Sequence, residues 1–435
     1  MTGFSAAHPH TLFTALWVSL LTLVGAAGAQ AQEAPGMPAY GVRYTCAPDR
    51  LEPLRAAMAH YLLDLGIPAH LVQVRVDRPR GQVTYALAGT GENTRTLYLA
   101  WRPELAIQDE EVQVPVSDQE TRPLKTVSRK EIVLALLHPG RLTEFREQAC
   151  DVQALIDHVG VRQTTVMWAE VLHWGWPDGD AAEWNTRYWH QGTPLPDVAL
   201  HEALNDLFFQ QDKYSIGCYT ATKIVFAQGT LDYYRRIKND PQTAQRVAQR
   251  LLADQEPLVD VEPGRMWSFE PDFEAEELQR PGKLLRMVEG VASDNFIPGD
   301  WIYLLNTDAQ TYQRTGYEGS NAIYLGRNRF DDYYNDNNHY YSYQEKLSEV
   351  FQWRHGVFNR RRDFAKHKPL SPQDYERLSA TPDKGGMLLG YRVVPYLFGY
   401  EPLPELPGAA TPLGEPAPGT PETPASPAPV AVSGG

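Results

Sequence analysis

The chain has 435 residues and a formal net charge of -14, with 54 acidic against 40 basic side chains. A protein this acidic lacks the basic surface that neutralises phosphates, which argues against nucleic acid as its main partner. The length suits two or three domains, each with a sizeable hydrophobic core.

An apolar run lies close to the start of the chain. Residues 12–24 are too few to span a bilayer comfortably, and small residues typical of a signal-peptide cleavage site follow at 27–31. No Lys or Arg precedes the run, although secretory signals normally begin with a basic segment. We predict a signal peptide at 1–31, and therefore export to the periplasm, the cell envelope or the medium.

Residues 32–155 combine helix, strand and turn patterns, and we find no motif typical of a catalytic or binding site among them. The patterns predict helices at 51–65 and 130–137 and strands at 71–76, 83–87 and 95–101. We interpret this segment as a small α+β domain. A second domain is predicted at 156–400, and the Pro- and Ala-rich residues 401–435 are predicted to be a disordered tail.

The three cysteines are Cys46, Cys150 and Cys218. In an oxidising compartment an odd number of cysteines leaves one thiol without a partner. The simplest arrangement pairs Cys46 with Cys150 and leaves Cys218 reduced, although the sequence alone does not establish that pairing.

Cys218 follows Gly217 and opens a stretch whose apolar residues recur at helical spacing. The first turn of a helix has free backbone N–H groups and a positive dipole end, which favour a thiolate over a thiol. Gly217 lets a substrate backbone come close, because it has no side chain. The pattern favours Cys218 as a nucleophile; the alternative is a small residue buried in a helix.

The chain changes to strand patterns after residue 295. A turn at Pro298 and Gly299 leads into an apolar strand, and residues 316–330 indicate a strand, a tight turn near 326–329 and a returning strand. With the upstream cysteine helix, these elements predict an α+β fold in which a helix packs on an antiparallel sheet.

Three short motifs occur in a fixed order: Cys218-Tyr219-Thr220-Ala221, then Gly299-Asp300, then Gly-Ser-Asn-Ala-Ile-Tyr-Leu-Gly at 319–326. In these motifs the chain resembles the sporulation-type bacterial protein-glutamine gamma-glutamyltransferases, which we place in the NlpC-like superfamily of papain-type cysteine peptidases. The resemblance covers about residues 200–345. It implies that 156–400 is a catalytic domain with a papain-like core.

The resemblance also implies the reaction, which is calcium-independent transfer of an acyl group from a protein glutamine to a lysine amine. Cys218 maps onto the family's nucleophile, and no cofactor or metal is expected. Two positions depart from the family. Gly217 replaces the acid before the cysteine, and Ser320 stands where the family has its catalytic glutamate.

A serine hydroxyl is a poor base at neutral pH, so another residue must accept the proton. Glu318 would share a strand face with Ser320 if the strand is unbroken, and His339 could return beside Cys218 after the hairpin. We predict Cys218, Glu318 and His339 as catalytic residues. Gly217, Ser320, Asn321 and Asp332 are predicted to contact substrate or to support the site.

Three functions remain open at this point. The first is an exported thiol acyltransferase that cross-links proteins, and the second is a papain-like hydrolase of envelope amides. The third is an envelope-structural domain that has lost its base. All three have protein or peptide partners, and the sequence does not separate the first two, because both need the same thiol and oxyanion hole. It gives no oligomeric state.

Overall fold

The computed structural model describes residues 37–89, 95–173, 182–190, 192–253, 286–288, 295–306, 319–332, 340–354 and 368–393. The predicted signal peptide and the predicted tail lie outside these ranges and stay predictions. The described residues all fall within one compact unit. Within the described ranges, every helix is too short or too polar to cross a membrane.

Eight α-helices occur in the described residues. They are α1 (Leu51–Asp64), α2 (Arg129–Leu137), α3 (Val152–Ala169), α4 (Leu200–Phe209), α5 (Cys218–Asp232), α6 (Pro241–Ala253), α7 (Tyr343–Arg354) and α8 (Pro372–Leu378). Several of them begin at a side chain that caps the first turn: Ser128, for example, accepts a hydrogen bond from a backbone N–H of α2, and Asp151 accepts one from α3. The predicted helices at 51–65 and 130–137 are confirmed.

The strands in the described residues form two larger sheets and two hairpins. They are β1 (Gly41–Thr45), β2 (Val72–Asp77), β3 (Gln82–Leu87), β4 (Glu110–Pro115), β5 (Thr121–Thr126), β6 (Leu142–Arg146), β7 (Trp189–His190), β8 (Thr193–Pro194), β9 (Arg286–Val288), β10 (Trp301–Leu305), β11 (Gly319–Gly326), β12 (Arg329–Asp331) and β13 (Leu388–Val393). The α+β class is therefore confirmed.

The first sheet has the strand order β2-β3-β1-β6, and β1 pairs antiparallel with β3 and parallel with β6. A disulfide between Cys46 and Cys150 ties the end of β1 to the residues just before α3, with the two Cα atoms 5.6 Å apart. The predicted pairing of these cysteines is confirmed, and Cys218 is free.

The second sheet has the order β12-β11-β10-β13-β9, and each neighbouring pair is antiparallel. A tight turn joins β11 to β12, and both Arg327 and Asn328 in it have positive φ, 51° and 54°. Positive φ at two successive residues is the geometry of a type I′ hairpin turn, which matches the twist of the strands. The turn predicted near 326–329 is confirmed.

Helix α5 packs against both β11 and α3. The two helices approach closely at two glycines. A Cβ on Gly229 would lie 2.7 Å from the Thr165 Cα, and one on Gly160 would lie 2.1 Å from the Tyr233 ring. Real side chains do not tolerate such distances, so this crossing needs glycine at both positions. The crossing fixes α5, and with it Cys218, against the body of the protein.

The predicted strand at 95–101 is wrong, because Thr96–Trp101 forms a 3₁₀ helix. Leu97 and Leu99 are fully buried whereas Tyr98 and Trp101 are exposed, which produces the alternation that suggested a strand. An alternating apolar pattern indicates which residues are buried, but it does not determine the partners of the backbone hydrogen bonds. Here the backbone bonds within its own turns; the N–H of Tyr98, for example, reaches the carbonyl of Arg95.

Helix α3 crosses the predicted domain boundary at 155/156 without interruption. An ion pair also joins the two predicted domains, since Arg141 Nη2 lies 2.7 Å from Asp300 Oδ2. The division of the chain into domains stays a prediction, and the described residues show no linker at that position.

Candidate active site

Cys218 is the first residue of α5 and lies at the end of the helix where backbone N–H groups are free of helical partners. Its sulfur is a free thiol and is partly exposed to solvent. Gly217 precedes it in an extended conformation, with φ -70° and ψ 158°. The chain before Gly217 is held in place, because Ser215 exchanges two backbone hydrogen bonds with Glu183.

Asn321, in β11, contacts the thiol. Its Nδ2 lies 3.4 Å from Cys218 Sγ, and its Oδ1 accepts a hydrogen bond of 2.8 Å from the indole N–H of Trp301. Because an indole N–H can only donate, this bond fixes the orientation of the amide: the oxygen faces Trp301 and the NH₂ group faces the sulfur. Asn321 therefore offers the sulfur a hydrogen-bond donor, which favours a negative charge there.

Trp301 connects β10 to the cysteine helix. Its side chain is fully buried, and its rings lie 5.3 Å from Tyr219 and 6.2 Å from Phe226 between centroids. Tyr219 is partly exposed beside Cys218, and Lys223 Nζ lies 4.5 Å from the centre of its ring. The aromatic contacts and the indole hydrogen bond hold Asn321 and α5 in a fixed relation.

The turn that starts β10 is held by a buried carboxylate. Asp300 lies 2.9 Å from Arg162 Nη1 and 2.7 Å from Arg141 Nη2, and it accepts a hydrogen bond from Ile297 N. Burial alone would raise the pKa of Asp300, but the two guanidinium groups outweigh it and hold that pKa below its ordinary value. Asp300 thus anchors the strand that carries Trp301 to α3 and to the first half of the chain.

Ser320 lies on the other face of the strand. Adjacent side chains in a strand point to opposite faces, so Ser320 shares a face with Tyr324 while Asn321 faces α5. The Tyr324 face packs into an aromatic cluster with Phe296 and Phe330. The position that the resemblance gives to a catalytic glutamate is therefore directed away from the sulfur, and its neighbour Asn321 meets the sulfur instead.

Asp332 is buried at the end of β12 in an ion-pair cluster. Lys346 Nζ, also buried, lies 2.7 Å from Asp332 Oδ2 and 2.7 Å from Glu349 Oε2. Burial disfavours the charge on Lys346, but the two carboxylates outweigh burial and raise its pKa. Asp332 thus joins β12 to α7, immediately before the segment that contains His339.

Glu318 and His339, the two residues predicted to accept the proton, both lie outside the described residues. The structure describes the thiol, the amide beside it and the supporting tryptophan. The identity of the proton acceptor stays a prediction.

Sequence reasoning missed Trp301, Arg141 and Arg162 as supports of the site. Trp301 gave a local signal, since it follows the Gly299-Asp300 motif directly. No local sequence signal pointed to Arg141 or Arg162, because they lie 159 and 138 residues from Asp300 in the chain.

Comparison with known proteins gives a family match and a match to a solved structure. Residues 150–354, slightly less than half of the chain, match the model of the family described as protein-glutamine gamma-glutamyltransferase. A solved structure of a transglutaminase from Geobacillus stearothermophilus, without its C-terminal extension, aligns at 17% identity over 57% of this chain and 97% of that chain, with a TM-score of 0.35. Among curated proteins, none matches this sequence.

Proposed function

We propose that the protein forms a thioester on Cys218 from a protein glutamine and passes the acyl group to a lysine amine; the match of residues 150–354 to the protein-glutamine gamma-glutamyltransferase model supports this proposal. The observation that carries this proposal is the 3.4 Å contact between Asn321 Nδ2 and a free, partly exposed sulfur at the start of α5. A family segment without a usable thiol would not support the reaction.

The first half of the reaction consumes the glutamine. The Cys218 thiolate attacks the carboxamide carbon, and the carbonyl oxygen becomes an oxyanion that the backbone N–H of Cys218 at the helix start can stabilise. The C–N bond then breaks and ammonia leaves with a proton from an acid/base residue. Asn321 stabilises the thiolate before attack. For the acid/base role we retain His339 and Glu318.

The second half releases the acyl group. A lysine amine attacks the thioester carbon, loses a proton to the acid/base residue and expels the thiolate, which leaves an isopeptide bond between two proteins. Water in place of the amine would convert the glutamine to glutamate. We further propose that the core is papain-like, since a cysteine at a helix start faces an antiparallel sheet in the described residues.

We also propose that the protein acts outside the cytoplasm. The disulfide between Cys46 and Cys150 supports this placement, because such bonds form and persist in oxidising compartments. The predicted signal peptide at 1–31 supports it as well.

The proposal is tested by incubating the full chain with a glutamine-rich protein and a fluorescent alkylamine, and by following both amine incorporation and ammonia release. We expect incorporation that is abolished in Cys218→Ala and unchanged in Lys213→Ala, an exposed residue shortly before the site. Ammonia or peptide release without incorporation would assign a hydrolase instead. Neither product from the parent chain would assign a scaffold without activity.

The same assay identifies the acid/base residue. If His339 transfers the proton, His339→Ala loses about 10²–10⁴-fold in rate and Glu318→Gln keeps most of it, since this is the usual range for general acid–base catalysis. The reverse result would assign Glu318.

A further inference from the structure

A second cleft lies at the opposite end of α5 from Cys218. It encloses about 480 Å³ between the β4–β5 turn, α4 and Tyr233–Ile237, a π-helical segment that continues α5. Helix α5 has 15 residues, so the cleft lies roughly 20 Å from the sulfur at 1.5 Å per residue. π-Helical segments are rare and often occur at functional sites. The volume is in the range of small-ligand pockets.

Two basic side chains, Arg235 and His201, line this cleft, and the carboxylates of Asp118 and Glu202 act on both of them only at longer range. Within the part of the chain that the structure describes, neither Arg235 nor His201 has an ion-pair or hydrogen-bond partner. Burial, and then the charge of Arg235, lower the pKa of His201, and burial lowers that of Arg235. An anion placed between the two groups would relieve both effects.

The second arginine of the cleft is already neutralised. Arg236 binds Asp232 through two contacts, Nε to Oδ1 at 2.8 Å and Nη2 to Oδ2 at 2.7 Å, and Trp168 Nε1 also donates to Asp232. Arg235 is therefore the guanidinium group that an incoming ligand would meet. Since Asp118 also lines the cleft, a ligand with several negative charges would be repelled.

An amide pair lines the cleft next to these charges. Gln228, only 2% exposed, donates from Nε2 to Asn205 Oδ1 at 2.9 Å. This bond leaves a carbonyl acceptor on Gln228 and an NH₂ donor on Asn205 available to a ligand. An acceptor beside a donor matches the C=O and N–H of a peptide group. Phe209 and Leu231 supply apolar wall beside the pair.

We propose that this cleft binds a short peptide segment through an acidic side chain, with the carboxylate at Arg235 and His201 and a peptide group at Asn205 and Gln228. Such a site would hold a partner protein at a distance from the thiol. It does not depend on the reaction at Cys218.

The test measures binding in the full chain carrying Cys218→Ala, in which no glutamine is consumed. The probes are N-acetyl-Gly-Glu-Gly-amide and its isosteric control N-acetyl-Gly-Gln-Gly-amide, titrated by ligand-observed NMR. We expect the Glu peptide to bind about two- to fivefold more tightly than the Gln peptide, as for a largely exposed ion pair. Arg235→Gln should remove this preference, whereas Arg75→Gln, an exposed arginine of β2, should keep it.

The pH dependence gives a second readout. His201 faces Arg235, Glu202 and Asp118, and its lowered pKa keeps it neutral near pH 7. Affinity for the Glu peptide should therefore rise as the pH falls from 8 to 5.5, and His201→Gln should abolish the rise. Equal binding of both peptides, or an unchanged preference in a folded Arg235→Gln chain, would overturn the proposal. So would inorganic phosphate that binds more tightly than the peptide and displaces it.

Discussion

The contact between Asn321 and the cysteine sulfur leads to the sharpest prediction. Asn321→Leu keeps the volume of the side chain and removes the donor that lies 3.4 Å from Sγ. A hydrogen bond to a charged group stabilises by about 1.5–3 kcal/mol, and a sulfur acceptor at this distance belongs at the lower end. A loss of about 1.5 kcal/mol corresponds to roughly a tenfold lower rate.

The assay is the second-order rate of alkylation by iodoacetamide at pH 7, which follows the amount of thiolate. We expect about a tenfold decrease in Asn321→Leu and a parallel decrease in amine incorporation. Ser320→Ala is the matched control, because Ser320 is adjacent in β11 but points to the opposite face. It should change the alkylation rate by less than about twofold, a difference of about 0.4 kcal/mol, because its side chain is directed away from the sulfur.

Folding must be checked in the same variant. The buried indole N–H of Trp301 loses its acceptor in Asn321→Leu, which costs about 1–3 kcal/mol of stability. Thermal unfolding shows whether the chain is folded at the assay temperature. If folded Asn321→Leu is alkylated as fast as the parent chain, the amide does not stabilise the thiolate and the reasoning fails.

Three further predictions concern stability. Asp300→Asn should lower the free energy of unfolding by about 3–5 kcal/mol in denaturant titrations at pH 7, because it leaves buried guanidinium groups uncompensated; a loss below about 1 kcal/mol would contradict this. Desolvation raises the pKa of the buried Glu170 carboxyl from 4.5 to about 7. Between these two pH values the folded chain holds a proton on Glu170 that the unfolded chain has lost. The free energy of unfolding therefore falls as the pH rises through that window. Glu170→Gln should therefore stabilise the protein at pH 8 relative to the parent and much less at pH 5, and an equal effect at both would refute the assignment. Replacing both Cys46 and Cys150 by Ser should lower the free energy of unfolding by about 4.7 kcal/mol, the loop-entropy value for a separation of 104 residues. A thiol titration of the unfolded, unreduced parent chain should find one thiol, and three thiols would contradict the disulfide.

The sequence by itself determined much of the local structure. The helices at 51–65 and 130–137, the tight turn near 326–329 and the odd count of cysteines are local or countable features, and the structure confirms what was predicted from them. The position of Cys218 at a helix start followed from Gly217 and the helical spacing after it. The helices, the turn and the position of Cys218 depend on residues a few positions apart, and the backbone preferences of those residues are enough to predict them. The free thiol followed from the number of cysteines.

Only the tertiary structure decided which side chains meet. Side chains alternate along a strand, so a shift of one residue decides whether Ser320 or Asn321 reaches the sulfur, and short motifs do not resolve that shift. The two arginine partners of Asp300 are more than 130 residues away in the chain, and no local pattern predicts contacts over that separation. Sequence therefore predicted the nucleophile, whereas the side chain beside it and the anchor of the sheet depend on how distant segments pack together.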